Sequence, residues 1–112
     1  MSRRRIAVVA GGLLAAAALL PVSGAYAAYA QISGKVTGWT HDSHTKISVR
    51  NEHNDNDVYG NYFRTSSENQ LNINNTHSAG TVVTSAAGSS ITRIRVGVSR
   101  TGPDELSAWS YN

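Results

Sequence analysis

The chain has no cysteine, two prolines, one methionine and one phenylalanine in 112 residues. Without cysteine there is no disulfide scaffold, no thiolate zinc site and no cysteine nucleophile. The length admits one small domain and excludes a two-domain cofactor enzyme. Long apolar runs are also scarce: the longest, Ile6 to Leu20, falls short of the ~20 residues that span a bilayer. No internal repeat or long linker interrupts the sequence.

The N-terminal run reads as an address. Arg3, Arg4 and Arg5 form a basic n-region, Ile6 to Leu20 an apolar h-region, and Pro21, Ser23 and Gly24 break the helix. Two overlapping small-residue sites follow, Ala25-Tyr26-Ala27 and Ala28-Tyr29-Ala30. The pattern predicts a signal peptide over residues 1–30, with its helix cleaved after Ala27 or Ala30 by the general secretory route. The expected product is a single extracellular domain over residues 31–112, with no membrane span remaining.

Taking the leader away leaves no excess of either charge. The formal +3 becomes zero, because three of the ten basic residues and none of the seven acidic ones lie in it. Nucleic-acid binding by counterion release needs clustered Lys and Arg, and only Arg93, Arg95 and Arg100 cluster. The composition therefore argues against a nucleic-acid partner.

What the domain does have is Ser, Thr and Asn in abundance and apolar residues in alternation. Lys35–Thr40, Lys46–Arg50, Val58–Arg64, Gln70–Asn74, Gly80–Thr84 and Ile91–Arg100 read as strands at period two, and Leu106–Tyr111 closes the chain. Breaks recur every 8–12 residues, and no window sustains a helical period. The fold class is all-β, a small antiparallel sandwich or barrel of about six short strands. Lys46–Arg50 and Val58–Arg64, separated by the turn signal Asn51–Asp57, are expected to pair as a hairpin.

Residues able to carry chemistry are few. His41, His44, His53 and Asp55 are first-shell ligand types for zinc or copper, and a hairpin would let them converge on a divalent metal. Asp55-Asn56-Asp57 lacks a third oxygen ligand, since Tyr59 occupies its place. Asn74-Asn75-Thr76-His77-Ser78 reads as a polar turn. Asp104 and Glu105 are neighbouring carboxylates, whereas paired acid–base work places two carboxylates across a bond. No G-x-S-x-G elbow is present. The residues point to no catalytic set and no resident cofactor.

Aromatic side chains are the remaining handle: Trp39, Tyr59, Tyr62, Phe63, Trp109 and Tyr111. Four of these six are expected in the core, for want of other large apolar residues. Trp39 and Tyr62 are the expected recognition surface.

Three-quarters of the domain resembles a group of small secreted actinobacterial proteins of unknown function. The matching segments are Ile47-Ser48-Val49-Arg50, Val58-Tyr59-Gly60-Asn61-Tyr62-Phe63-Arg64, Gly80-Thr81 with Ser85, Gly88-Ser89, Thr92-Arg93-Ile94-Arg95, and Pro103-Asp104 with Ser107-Ala108-Trp109. The resemblance implies a compact β-domain and no activity. Cysteines common in that group correspond to Gly97 and Leu106 here. Tyr59-Gly60-Asn61-Tyr62, Thr76-His77-Ser78-Ala79 and Trp109-Ser110-Tyr111-Asn112 are also similar to lactococcin 972-type bacteriocins.

These features together lead us to expect a secreted, non-enzymatic β-domain acting by surface recognition of a cell-wall glycan, another secreted protein or its own copies. A lactococcin 972-type bacteriocin and metal capture through His41, His44 and His53 are the alternatives.

Overall fold

The computed structural model describes residues 27–54 and 57–112. The expected signal peptide up to Tyr26 and the candidate ligand Asp55 lie outside the described residues. Among those residues the chain is all-β and contains no helix. The strands are β1 (Tyr29–Ile32), β2 (Val36–His41), β3 (Lys46–Asn51), β4 (Val58–Arg64), β5 (Leu71–Asn75), β6 (Val82–Thr84), β7 (Ile91–Val98), β8 (Glu105–Leu106) and β9 (Ser110–Tyr111).

They form two antiparallel sheets that enclose one core. The first has the order β1-β2-β3-β6, and the second β5-β4-β7-β8 with β9 also paired to β7. Strand alternation decides what enters that core. Ile94, Val96 and Val98 of β7 point inward, as do Ile47 and Val49 of β3, Val36 of β2 and Val58 of β4. Arg93 and Arg95 of β7 then necessarily face outward.

One expectation is corrected here. β3 and β4 do not form a hairpin: β3 pairs with β2 and β6, and β4 pairs with β5 and β7. Their inward faces are both apolar, so the chain buries them against each other across the core. β1 begins at Tyr29, and Ala28 and Ala30 are core residues. Ala28 N–H donates to Asn112 Oδ1 at 2.7 Å and to Thr40 Oγ1 at 3.0 Å. Asn112 Nδ2 also donates to the Ile91 carbonyl, so one side chain ties β1 to β2 and β7.

The core is narrow. A Cβ on Gly38 of β2 would stand 2.7 Å from Val96 Cγ1, and one on Gly60 of β4 would stand 2.9 Å from Val49 Cγ2. Each sheet thus presents a glycine to a branched side chain of the other. Large rings do not fit in such a gap. Only Tyr62 is buried among the six aromatics, while Trp39, Tyr59, Phe63 and Trp109 are half-buried and Tyr111 is 62% exposed. The expectation that four of them build the core is overturned, for that steric reason.

Polar side chains replace the missing disulfides as staples. Buried Asn75 donates to the Val49 and Thr81 carbonyls at 2.9 Å each, and buried Asn51 donates to the His77 carbonyl at 2.8 Å. Both join the loop between β5 and β6 to β3. The Arg64 guanidinium donates to the Thr45, Ser89 and Ala86 carbonyls. The Asn-rich turn is therefore a structural device in which Asn75 is fully buried.

Substituting Gly60→Ala tests the gap. Overpacking costs about 1–3 kcal/mol, so the melting temperature should fall by at least several degrees. A thermal scan followed by far-ultraviolet circular dichroism reads it.

Candidate functional site

The outward face of the second sheet gathers residues of one kind. Partners in register share a face, which sets Asn74, Tyr59, Gly97 and Leu106 in one row and Asn72, Asn61 and Arg95 in the next. Phe63, Arg93 and Tyr111 form a third row. The first two rows floor an open groove of about 620 Å³ that Gln70 and Asp104 border.

Gly97 makes this groove. A Cβ there would lie 2.4 Å from Tyr59 Cζ, so the tyrosine ring lies across the glycine and only glycine leaves it room. Tyr59 then reaches over β7, and its hydroxyl donates to Asp104 Oδ2 at 2.6 Å. The middle row is a polar ladder. Asn61 Nδ2 donates to Asn72 Oδ1 at 2.7 Å, and Arg95 Nε donates to Asn61 Oδ1 at 2.9 Å.

Trp109 arrives from the interruption between β8 and β9. Ser107 N–H donates to the Val96 carbonyl, and Ser107 Oγ accepts the Val96 N–H, so the edge stays paired while the strand breaks. The break places Trp109 on the outward face, 5.5 Å from Phe63 between ring centroids. Arg93 lies 4.1 Å from the Phe63 centroid and 4.6 Å from that of Trp109, and Arg95 lies 4.5 Å from Trp109. Two guanidinium groups and two rings thus form one cation–π cluster.

Burial, then the Asp104 carboxylate, pushes the Tyr59 phenol up to about 12. The Tyr59 hydroxyl, and after it the Arg100 backbone N–H, hold Asp104 below the ordinary carboxylate range. Glu105 is likewise lowered, chiefly by Lys35 at 2.7 Å. Neither carboxylate faces the other across a gap.

The expected site residues fall elsewhere. Trp39 faces outward on the first sheet, half-buried beneath Arg50 at 5.9 Å. Tyr62 is not a surface residue: it is 7% exposed, because its parity on β4 matches inward Val58 rather than outward Tyr59. His41 and His44 stand at the turn between β2 and β3, and His53 follows the far end of β3. Six residues at about 3.3 Å per residue separate the two ends, so these histidines do not converge. Among the described residues no group of three metal-ligating side chains forms.

One arrangement escapes a reading of the sequence. His41 Nε2 is 2.7 Å from Ser48 Oγ, and His41 Nδ1 is 3.4 Å from Asp42 Oδ1. Serine, histidine and aspartate in that order resemble a hydrolase triad. Ser48 is only 3% exposed, however, and its hydroxyl is shared with Thr84 Oγ1 at 2.7 Å. The Asp42 carboxylate is held low chiefly by Lys46, then by His41. An inaccessible hydroxyl is no nucleophile, so the trio serves to cross-link β2, β3 and β6. Register alone brings it together, and no local motif signals it.

The Tyr59–Asp104 bond should show in alkali. A raised phenol stabilises the fold fully below pH 10, and that contribution is lost as pH rises through about 12. Tyr59→Phe should flatten the fall in melting temperature across this window, and ultraviolet titration should show that the substitution removes a late-ionising tyrosine. No family model, no curated protein and no solved structure matches this chain, which leaves its function to be read from the geometry.

Proposed function

We propose that the protein is a secreted, non-enzymatic recognition domain, and that it binds a cell-wall glycan on the outward face of its second sheet. The observation that carries this reading is the pair of Asn72 and Arg95, both braced by buried Asn61 and flanked by Tyr59 on one side and Trp109 on the other. Sugar rings offer apolar C–H faces that stack on aromatics, and hydroxyls that pair with amides and guanidinium groups. Both complements lie side by side here, on a rigid sheet whose side chains already hold one another in place. Preorganised groups lose little entropy on binding.

The absence of a catalytic role is part of the same proposal. Asp104, the groove's carboxylate, is engaged with the Tyr59 hydroxyl, and Glu105 is held by Lys35. With both committed to structural partners, neither is placed to work as a paired acid and base.

Secretion implies a processing site, and the fold favours one of the two candidates. Removal after Ala30 would delete Ala28 and Ala30, which are 1% and 4% exposed in the core. Removal after Ala27 keeps β1 and leaves the Ala28 nitrogen beside Asn112 Oδ1 and Thr40 Oγ1, two acceptors suited to a terminal ammonium. N-terminal sequencing of the secreted protein should therefore begin at Ala28. A start at Gln31 would refute this choice, and an intact leader would refute secretion.

The glycan reading is tested by retention on insoluble peptidoglycan. The mature protein should be pulled down, and Trp109→Ala or Asn72→Ala should weaken retention at least several-fold while the thermal melt stays cooperative. Trp39→Ala, on the other sheet, should leave retention unchanged. A wild type that stays in the supernatant would sink the reading.

A further inference from the structure

We propose that the glycan bound on this face is an acidic one, and that Arg93 and Arg95 read successive carboxylate or phosphodiester groups along it. The inference rests on the recognition surface proposed above and names its ligand class.

It begins with where the positive charges go. Lys35 pairs with Glu105, Lys46 with Asp42, and Arg50 with Glu52. Arg64 is spent on three backbone carbonyls, and Arg100 lies against the Pro103 carbonyl and near Glu105. Arg93 and Arg95 differ from all of these. Among the described residues neither has a carboxylate partner, and the Arg93 side chain makes no hydrogen bond although its backbone is paired in the sheet. Arg95 uses only its Nε, on Asn61, which leaves both Nη groups to spare.

Two unneutralised guanidinium groups on one face of one strand repel each other. The fold tolerates this because the Phe63 and Trp109 rings lie 4.1 to 4.6 Å from the two guanidinium carbons. A cation held against a ring makes no N–H···O bond there, so its N–H donors remain to be used. Those donors match the paired oxygens of a carboxylate or a phosphate. The rings also hold the guanidinium groups in place, so little side-chain freedom is lost when the anion arrives.

Spacing points to a polymer rather than a lone anion. Residues two apart on a strand repeat at about 7 Å, so two acidic groups of one chain can be met in sequence. The surroundings set the direction. Asn72 offers neutral hydrogen bonding beside Arg95, and Asp104 closes the far end of the groove with a negative charge. An acidic chain would therefore lie along Arg93 and Arg95, and its uncharged sugar would extend toward Tyr59.

The experiment is affinity electrophoresis of the mature protein through gels containing polygalacturonate, a glycerol-phosphate teichoic acid, or neutral dextran, with unlinked single-stranded DNA in a fourth gel. Polygalacturonate or teichoic acid should retard the protein at least tenfold more strongly than dextran, and added salt should weaken that retardation. Arg93→Gln with Arg95→Gln should abolish the preference, since losing one charge-assisted contact costs about tenfold. Arg95→Lys should lose a part of it, because an ammonium lacks the fork. A cooperative melt of each variant separates binding from folding. Equal retardation by dextran, unchanged in the double variant, would overturn the acidic assignment while leaving glycan recognition standing. No retardation in any polysaccharide gel would overturn both. Retardation by DNA as strong as by the acidic polysaccharides would also overturn it, in favour of unselective polyanion binding.

Discussion

The close approach of the two sheets at Gly38 and Gly60 is the constraint from which the rest follows. A cysteine-free domain with few apolar residues cannot fill a wide space between sheets. It closes that space instead, setting a glycine of each sheet against Val96 or Val49 of the other. Valine, isoleucine and alanine, with Tyr62 as the one ring among the six aromatics, then suffice to build the interior. The other five rings take positions on the outer faces. The surface chemistry of this protein is thus a by-product of how its core is packed.

Side chains that might have been solvated do the work of covalent links. Asn51 and Asn75 hold the loop between β5 and β6, Arg64 gathers three carbonyls, and Asn112 joins three strands. Each buries polar groups and satisfies them at once, which avoids the penalty of an unpaired buried amide. Gly97 and Leu106 are register partners on β7 and β8. Here the Tyr59 ring lies across Gly97, and its bond to Asp104 ties β4 to the segment that leads into β8.

Much of this was legible in the sequence, and the reasons for the remainder are physical. Val58–Arg64 and Ile91–Val98 show their strands plainly, because alternation is local and one face must be buried. Pairing is not local: nothing in Lys46–Arg50 says that its partners are β2 and β6 rather than the next strand along. Tyr62 shows a different limit. The alternation correctly separates Tyr62 from Tyr59, but which face is inward depends on the opposing sheet. The cation–π cluster was half visible, as Arg93 and Arg95 on one face. Phe63 and Trp109 join it only through register and through a break in the edge strand.

The bond between Ala28 and Asn112 carries a consequence for biogenesis. Its partners are separated by 84 positions, nearly the whole domain. Synthesis exposes Ala28 long before Asn112, so this bond cannot form until every strand between its partners has been made. The edge that β1 forms is therefore secured late, after the rest of the first sheet is available.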